Sequence, residues 1–215
     1  MRNVGCGITI QIGISPAHAR PLARSRNAVR VARRGRRLLV ARQQGVWWRL
    51  KRSEFDARRR KGTKRAFKQI VVSGAEPGIL AYGDGQPIGW CAVAPHEAYL
   101  VLDRSPTLKR VDDQPVWSIT CFFVARSYRR ARLTARLIEA AVQYAAAHSA
   151  TIVEGYPVEP KKDNMPEFYA FTGMASAFRK AGFVEVARRS QTRPIMRYQI
   201  DPPRVRRSTK NKTYG

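Results

Sequence analysis

The chain has 215 residues, a formal net charge of +26 at pH 7, and 44% hydrophobic residues. Its length fits one domain or one domain with tails, and its apolar content excludes a wholly disordered protein. No apolar run approaches the roughly 18 residues of a membrane span, and no secretory signal opens the chain. We therefore expect a soluble, cytoplasmic protein without membrane contact.

The positive charge is concentrated at the two ends of the chain. Residues 1–53 contain 13 Lys and Arg and no acidic residue, and residues 202–215 contain five basic residues and no acidic one. The segment between them holds 23 basic and 15 acidic residues. We predict one domain over 46–201, with a basic arm at 1–45 and a basic tail at 202–215, both expected to be disordered.

The arm contains the densest arginine run, RVARRGRRLLVAR at 30–42. Such a run is typical of contact with nucleic acid, of an organellar transit peptide, or of an extension without a function. No aromatic residue precedes Trp47, so the stacking platform of single-strand binders is missing. The three interpretations stay open, and nucleic acid remains a possible partner of the arm.

The three cysteines, Cys6, Cys91 and Cys121, form no CxxC pair and no zinc-like spacing. Two of them fall in apolar stretches, which favours buried thiols in a reducing compartment. We expect no metal site.

The first predicted elements are a helix over 64–73 and a hairpin. The helix has apolar residues at helical spacing and ends before Gly74 and Pro77. Strands at 79–82 and 87–93 flank the turn GDGQ at 83–86, a strong hairpin signal.

The second half alternates strands and helices. Residues 116–125 predict a strand buried on both faces, followed by a helix whose apolar stripe ends near His148. The stripe consists of Leu133, Leu137, Ala140, Ala141 and Tyr144. A buried strand at 151–158, a helix ended by Gly182, and strands at 183–187 and 195–200 follow. This order predicts an α/β fold, an α+β sandwich around one mixed sheet.

Three segments resemble the GNAT superfamily of acyl-CoA N-acyltransferases: ILAYGDGQPIGWCAVAP (79–95), CFFVARSYRRARLTARLI (121–138) and AFRKAGFVEVARRS (177–190). The resemblance implies a single mixed, mostly antiparallel sheet flanked by helices. It also implies acetyl-CoA as co-substrate and no metal.

The family holds the cofactor's pyrophosphate on a loop that opens a helix, where free amides and the helix dipole favour an anion. The corresponding residues are Arg129, Arg130, Ala131, Arg132, Leu133 and Thr134. The family also implies that Phe123 and Val124, at the end of the preceding strand, pair through their backbone with the pantetheine arm.

The chain departs from the family pattern at three places. Arg132 and Thr134 replace the two small residues of the loop; we expect Arg132 to keep helical backbone angles and its charge to help hold phosphate. Phe178 stands where many members have a tyrosine that protonates the leaving thiolate, so water or Tyr156 would serve instead. The family's first strand would fall where the arginine-rich arm runs, so we expect the front of this domain to be truncated or altered.

Glu154 and Tyr156 are the candidate catalytic residues. Glu154 lies in a buried-looking strand, and a carboxylate removed from water holds a proton more tightly, which suits a general base. Its alternative is an ion pair with an arginine. Tyr156 shares its face of the strand and is a candidate acid or substrate contact, or only a half-buried strand aromatic. We assign no role to His148, or to His96, which we expect on an exposed loop.

The resulting expectation is an enzyme, an acyl-CoA-dependent N-acetyltransferase. It would move an acetyl group by direct transfer to an amine of an unidentified small-molecule or peptide acceptor. The alternative is a catalytically weakened protein of this fold that acts as a basic nucleic-acid- or ribosome-associated binding protein.

Overall fold

The computed structural model describes residues 8–11, 46–57, 61–83, 86–129, 132–161 and 171–201. Most of the predicted arm, the whole predicted tail, and the Asp84–Gly85 hairpin tip lie outside these ranges, as do Cys6, Arg130 and Ala131. The strands and helices are β1 (Ile8–Gln11), α1 (Arg52–Ala57), α2 (Lys61–Val72), β2 (Ile79–Gly83), β3 (Gln86–Pro95), α3 (Leu100–Arg104), β4 (Trp117–Val124), α4 (Leu133–Ala147), β5 (Ile152–Gly155), α5 (Ala175–Lys180), β6 (Val184–Arg188) and β7 (Pro194–Gln199).

The strands form one sheet in the order β1-β2-β3-β4-β5-β7-β6. Only β4 and β5, which α4 connects, pair in parallel; the other five neighbouring pairs are antiparallel. A parallel pair needs a long crossover, and a helix supplies it. The predicted mixed, mostly antiparallel sheet with flanking helices is confirmed.

The sheet begins earlier than the sequence suggests. Residues Ile8–Gln11 pair antiparallel with β2, with Thr9 opposite Tyr82. The predicted domain boundary at residue 46 therefore leaves out the first strand, and the prediction of disorder is wrong for 8–11. A four-residue strand next to an arginine-rich stretch gives too short a pattern to recognise.

One face of the sheet is covered by α4 and α5, and we call it the α4 face. The predicted stripe on α4 is buried there, from Leu133 to Tyr144. Phe122 of β4 and Phe178 of α5 pack in the same cluster. The helix prediction is confirmed because the 3.6-residue period already identified the buried side.

The opposite face, which we call the Trp48 face, is covered by the segment preceding α1, by α2 and by the chain around α3. Its buried cluster includes Trp48, Trp90, Tyr99, Leu102 and Tyr156.

Cys91 and Cys121 are free, buried thiols on neighbouring strands, as predicted. Burial raises the pKa of Cys121 to about 12. None of the helices in the described ranges is long and apolar enough to span a bilayer.

The fifth strand is shorter than predicted. The sequence predicts a strand over 151–158, but β5 ends at Gly155, and beyond it only an isolated bridge joins Val158 to Met174. The residues after Gly155 stay buried, so the apolar pattern continues although the pairing stops. This early end opens the sheet next to β4.

Candidate active site

The sheet opens between β4 and β5. The two strands pair only from Trp117 to Ile119 on β4, opposite Val153 to Gly155. β4 continues to Val124, and this second half pairs with β3 on one side and, within the described ranges, with no β5 residue on the other. Apart from Val124 O, which Arg129 contacts, the backbone groups along this edge have no backbone partner among the described residues and can bind an extended molecule.

Val124 presents its backbone to this opening. The amide of the next residue, Ala125, donates to Ile88 O of β3 at 2.8 Å. Backbone groups alternate between the two edges of a strand, so the amide of Val124 faces away from β3. By the same alternation the amide of Phe123 faces β3. Of these two residues, Val124 therefore faces the opening with its backbone, and Phe123 faces β3.

The prediction that Arg132 has helical backbone angles is wrong. It precedes α4 with φ 55° and ψ 15°, in the left-handed region. That conformation costs a non-glycine residue about 1–2 kcal/mol because Cβ approaches the next carbonyl. The family's glycine at this position thus suits the backbone of the turn as well as the space beside it.

The other described residues of the loop surround the start of α4. Arg129 donates from Nε to Val124 O at 3.4 Å, which ties the loop to the end of β4. The first bond of α4 runs from Arg136 N to Arg132 O at 3.2 Å, so the amides from Leu133 to Ala135 precede the helical bonding pattern. Leu133 is buried and Thr134 is half-buried.

Glu154 is fully buried and both of its carboxylate oxygens are engaged. Arg197 Nε donates to one oxygen at 2.7 Å, and the Tyr156 hydroxyl donates to the other at 2.7 Å. Arg197 also donates through both terminal nitrogens to Asp112, at 2.6 and 2.9 Å. The ion pair considered from the sequence is therefore present, and Glu154 is held rather than free.

Tyr156 lies just past the last paired residue of β5, and its side chain is completely buried on the Trp48 face. Its hydroxyl lies 3.0 Å from Ser118 Oγ and 3.2 Å from His96 Nδ1. Burial and the adjacent Glu154 carboxylate raise the pKa of Tyr156 well above its usual value. Tyr156 is therefore a protonated, hydrogen-bonding hydroxyl at neutral pH.

His96 was missed by the sequence reasoning. It is completely buried, not exposed, and its Nε2 lies 2.9 Å from Asp103 Oδ1. The loop after β3 turns back onto the core because Tyr99 and Leu102 are buried in the Trp48 face. The apolar segment AYLVL at 98–102 was the one sequence signal for this burial, because a run of apolar side chains is unfavourable on an exposed loop.

Phe178 fills the α4 face, on the other side of the sheet from Tyr156. Its ring packs so closely on Gly155 and Gly173 that a Cβ at either glycine would overlap it. Phe178 has no proton to donate. Tyr156 lies on the opposite face of the sheet and cannot occupy the position of Phe178. Any proton that Tyr156 moves would pass on the Trp48 face.

Two buried indole donors on the Trp48 face have no hydrogen-bond partner among the residues that the structure describes. The indole N–H groups of Trp48 and Trp90 are buried without a hydrogen bond, although both rings pack in the same cluster. Buried donors are nearly always paired in native proteins. A molecule bound on this face could accept hydrogen bonds from these two indole N–H groups.

No curated protein matches the chain significantly. Similar solved structures include a GNAT-family acetyltransferase from Listeria monocytogenes, with 10% identity over 93% of this chain and 100% of that one and a TM-score of 0.49. A GNAT-family acetyltransferase from Streptococcus agalactiae has 12% identity over 91% and 97% and a TM-score of 0.48. The PaiA N-acetyltransferase from Thermoplasma acidophilum, in complex with coenzyme A, has 12% identity over 90% and 99% and a TM-score of 0.46.

The family model described as the acetyltransferase (GNAT) family matches residues 45–174. This match spans more than half of the chain and includes β2 to β5, the opening between β4 and β5, and the start of α4. The chain belongs to the GNAT acetyltransferase family.

Proposed function

We propose that the protein transfers the acetyl group of acetyl-CoA directly to an amine acceptor. The observation that carries this proposal is the free edge of β4, which ends with the Val124 amide facing the opening, directly before the turn into α4. Membership of an acetyltransferase family supplies the class of reaction.

The opening fits the cofactor by its shape and its donors. An extended pantetheine arm carries amides that can pair with the free edge of β4, as a further strand would. The Val124 amide would then polarise the thioester carbonyl, the task of an oxyanion-hole donor. The first amides of α4 would hold the pyrophosphate, because helix N-termini bind phosphate well. The exposed Arg132 would add the positive charge of its guanidinium, while its Cβ would limit how closely the pyrophosphate approaches these amides.

The acceptor amine would enter from the Trp48 face. Its nitrogen attacks the acetyl carbon; a C–N bond forms, the C–S bond breaks, and coenzyme A leaves as a thiol. An ammonium must first lose a proton, so the site needs a proton acceptor. Tyr156 follows Gly155, where the strands part. Its hydroxyl donates to Glu154 and lies 3.0 Å from Ser118 Oγ, so it would contact the body of the acceptor and not the nitrogen at the Val124 end of the opening.

No metal takes part in this scheme. A free thiol has a pKa of about 8.5, so the thiolate of coenzyme A leaves readily and can take its proton from water. This removes the need for a tyrosine at the position of Phe178.

The acceptor is a small molecule or a peptide with a primary amine. Trp48 and Trp90 favour one that presents a hydrogen-bond acceptor, such as a carbonyl or hydroxyl oxygen, beside an apolar body. Nucleic-acid contact by the arm stays a prediction, because residues 12–45 lie outside the described part of the chain. A cytoplasmic location likewise stays a prediction.

The test is release of coenzyme A thiol from acetyl-CoA by the full chain in the presence of a panel of primary amines. We expect amine-dependent release with at least one member of the panel. Val124→Pro, which lacks the amide hydrogen, should lower the rate by about 10²-fold, the usual cost of one such donor.

Val124→Ala is the matched control, since it shortens the side chain and keeps the amide. It should remain within a few-fold of the parent. Thiol release that does not depend on any amine, or equal rates for the proline and alanine variants, would overturn the proposal.

A further inference from the structure

Arg193, in the turn before β7, has no carboxylate partner among the residues that the structure describes. Its side chain is half-buried, and its terminal nitrogen Nη1 donates to the buried Thr172 hydroxyl at 3.1 Å. Within the described ranges, Nε and Nη2 of the same guanidinium contact no acceptor. Most of the donors of this group are therefore available to a bound molecule.

The charge of Arg193 is uncompensated, unlike that of Arg197 in β7. The carboxylates of Asp112 and Glu154 accept hydrogen bonds from Arg197 and raise its pKa. Burial lowers the pKa of Arg193. An arginine still keeps its charge at neutral pH, and a charge removed from water costs free energy unless it is paired. A bound anion would supply the missing partner.

The carboxylate that follows the backbone beside Arg193 is already engaged. Glu159 donates its backbone N–H to Thr192 O at 2.9 Å, next to Arg193. The side chain of Glu159 contacts Arg179 at 2.5 Å and also contacts Arg188. Glu159 therefore compensates two other arginines.

Arg193 lies on the acceptor side of the opening. Met196 is opposite Gly155, the last residue of β5, and Arg193 is three residues nearer the opening than Met196. Ile195 belongs to the Trp48 face cluster, and side chains alternate along a strand, so Arg193 is directed to the same face. Its guanidinium is thus placed beyond the point where β4 and β5 part, on the face from which the acceptor would enter.

The strand register separates Arg193 from the proposed place of the thioester. Val124 lies five residues beyond Ile119, which pairs with Gly155, and Arg193 lies three residues beyond Met196. Their levels along the strands differ by two residues, about 7 Å. An acceptor that reaches both places carries its amine and its anionic group on different carbons.

We propose that Arg193 binds a carboxylate of the acceptor, which is a primary amine with its carboxylate several bonds from the nitrogen. This inference rests on the proposed acetyl transfer and specifies its acceptor. The Nε and Nη2 donors form a planar fork that matches the two oxygens of a carboxylate. Thr172, which accepts from Nη1, holds the guanidinium in place. The single positive charge of Arg193 suits a carboxylate better than a doubly charged phosphate.

The test compares amino acids with their primary amides as acceptors for the full chain with acetyl-CoA. The pairs are 4-aminobutyrate with 4-aminobutanamide and 6-aminohexanoate with 6-aminohexanamide, which differ in charge but hardly in shape. We expect kcat/KM for at least one acid to exceed that for its amide by about 10- to 100-fold, the usual effect of a hydrogen bond to a charged group. Arg193→Met should remove this preference by slowing the acid and leaving the amide within a few-fold.

Lys180→Met is the matched control. It removes one positive charge from an exposed residue of α5, on the other face of the sheet, and should keep the preference for the acid. Equal rates for acids and amides in the parent, or a preference that survives in Arg193→Met, would overturn the inference. An equal loss with acid and amide would show a structural role for Arg193. Faster turnover of 3-aminopropylphosphonate than of either acid would contradict the assignment to a carboxylate.

Binding separates this inference from the proposed function. Calorimetric titration of the acids and amides into the full chain, with and without coenzyme A, needs no turnover. Tighter binding of an acid than of its amide by the parent and by Lys180→Met, but not by Arg193→Met, supports the carboxylate site even if acetyl-CoA releases no thiol. In that case the proposed function alone fails. Amine-dependent thiol release without any preference for acids, in rate or in binding, would support the proposed function and overturn this inference.

Discussion

Arg132 adopts a backbone conformation that glycine adopts with less strain. Its φ is 55°, and Ser149, at the other end of α4, has a φ of 62°. Both residues are exposed. The two positions share the strain but not the surroundings, because only Arg132 borders the opening. They therefore separate the effect of the backbone from the effect of the site.

Arg132→Gly should raise the free energy of unfolding by up to about 1 kcal/mol. Relief of the left-handed strain exceeds the added freedom of the unfolded glycine. The variant should also bind acetyl-CoA more tightly if the Cβ at residue 132 hinders the pyrophosphate, as the family's glycine implies. Urea unfolding and calorimetry measure the two effects.

Ser149→Gly is the control for this pair of measurements. It should give a similar gain in stability and leave acetyl-CoA affinity unchanged. A fall in affinity in the Arg132 variant would show instead that the guanidinium binds phosphate and outweighs the strain.

Several site residues could be predicted from the sequence one by one, but not their contacts. The sequence placed Glu154 and Tyr156 on the same face of one strand, and the structure has them hydrogen-bonded. It offered an arginine partner for Glu154 without identifying Arg197, because β7 is 43 residues away along the chain. His96 was missed since its burial depends on how the following loop folds back.

At the scale of elements, one buried ion pair joins two neighbouring strands. Glu154 of β5 lies directly opposite Arg197 of β7. Removing one partner of a buried pair leaves a charge without compensation in the interior. The pair therefore matters more to stability than an exposed pair would.

Arg197→Met should lower the free energy of unfolding by about 3–5 kcal/mol. The double variant Glu154→Gln with Arg197→Met should recover part of that loss, because it removes the uncompensated carboxylate. Denaturant unfolding of the two variants measures the difference. Equal losses in both would mean that packing, and not charge, makes Arg197 important.

A second, exposed group of charges ties β6 to the chain after β5. Arg188 donates to Glu185 at 2.6 Å and also contacts Glu159, and Arg179 contacts Glu159 at 2.5 Å. Hydrogen bonds from Arg179 and Arg188 lower the pKa of Glu159, and those from Arg188 lower the pKa of Glu185, below the ordinary 4.5. Both carboxylates are more acidic in the folded protein, so their contribution is complete above pH 4.5 and declines as the pH falls below it.

Arg188→Gln should lower the Tm at neutral pH, and the difference from the parent should narrow as the pH falls below 4.5. The narrowing follows because protonated carboxyls no longer interact with Arg188. Thermal unfolding across this pH range checks it, and a difference that stays constant with pH would show that the charges are not responsible.

Elements with a repeating apolar pattern were predicted well. Features that depend on pairing between distant strands were not. The apolar stripe of α4 and the hairpin of β2 and β3 follow from local pattern, so their type agrees and the ends of the hairpin strands agree within two residues. The end of β5 at Gly155 depends on its separation from β4, which no local pattern encodes. The place of the cofactor at the end of β4, on which the proposed function depends, was therefore inferred from family resemblance alone.

For the whole molecule, β1 is the strand that the sequence failed to assign to the domain. It pairs with β2 at one end of the sheet, and without it the edge of β2 would be exposed. Exposed strand edges invite pairing between molecules. Part of the basic arm thus belongs to the fold.

Removal of residues 1–11 should lower the Tm and increase aggregation on heating. Removal of residues 202–215 is the control, since the last strand ends at Gln199. Thermal unfolding with light scattering distinguishes the two. If both truncated proteins behave like the parent, β1 contributes nothing measurable to the domain.

The central claim is that acetyl-CoA binds in the opening between β4 and β5. Calorimetric titration of acetyl-CoA into the full chain, beside Arg132→Gly, tests it most directly. We expect one site per chain with a dissociation constant of about 1 μM to 1 mM, the range of KM for most enzyme substrates, and equal or tighter binding by the variant. No binding by either protein, with both folded, would contradict it.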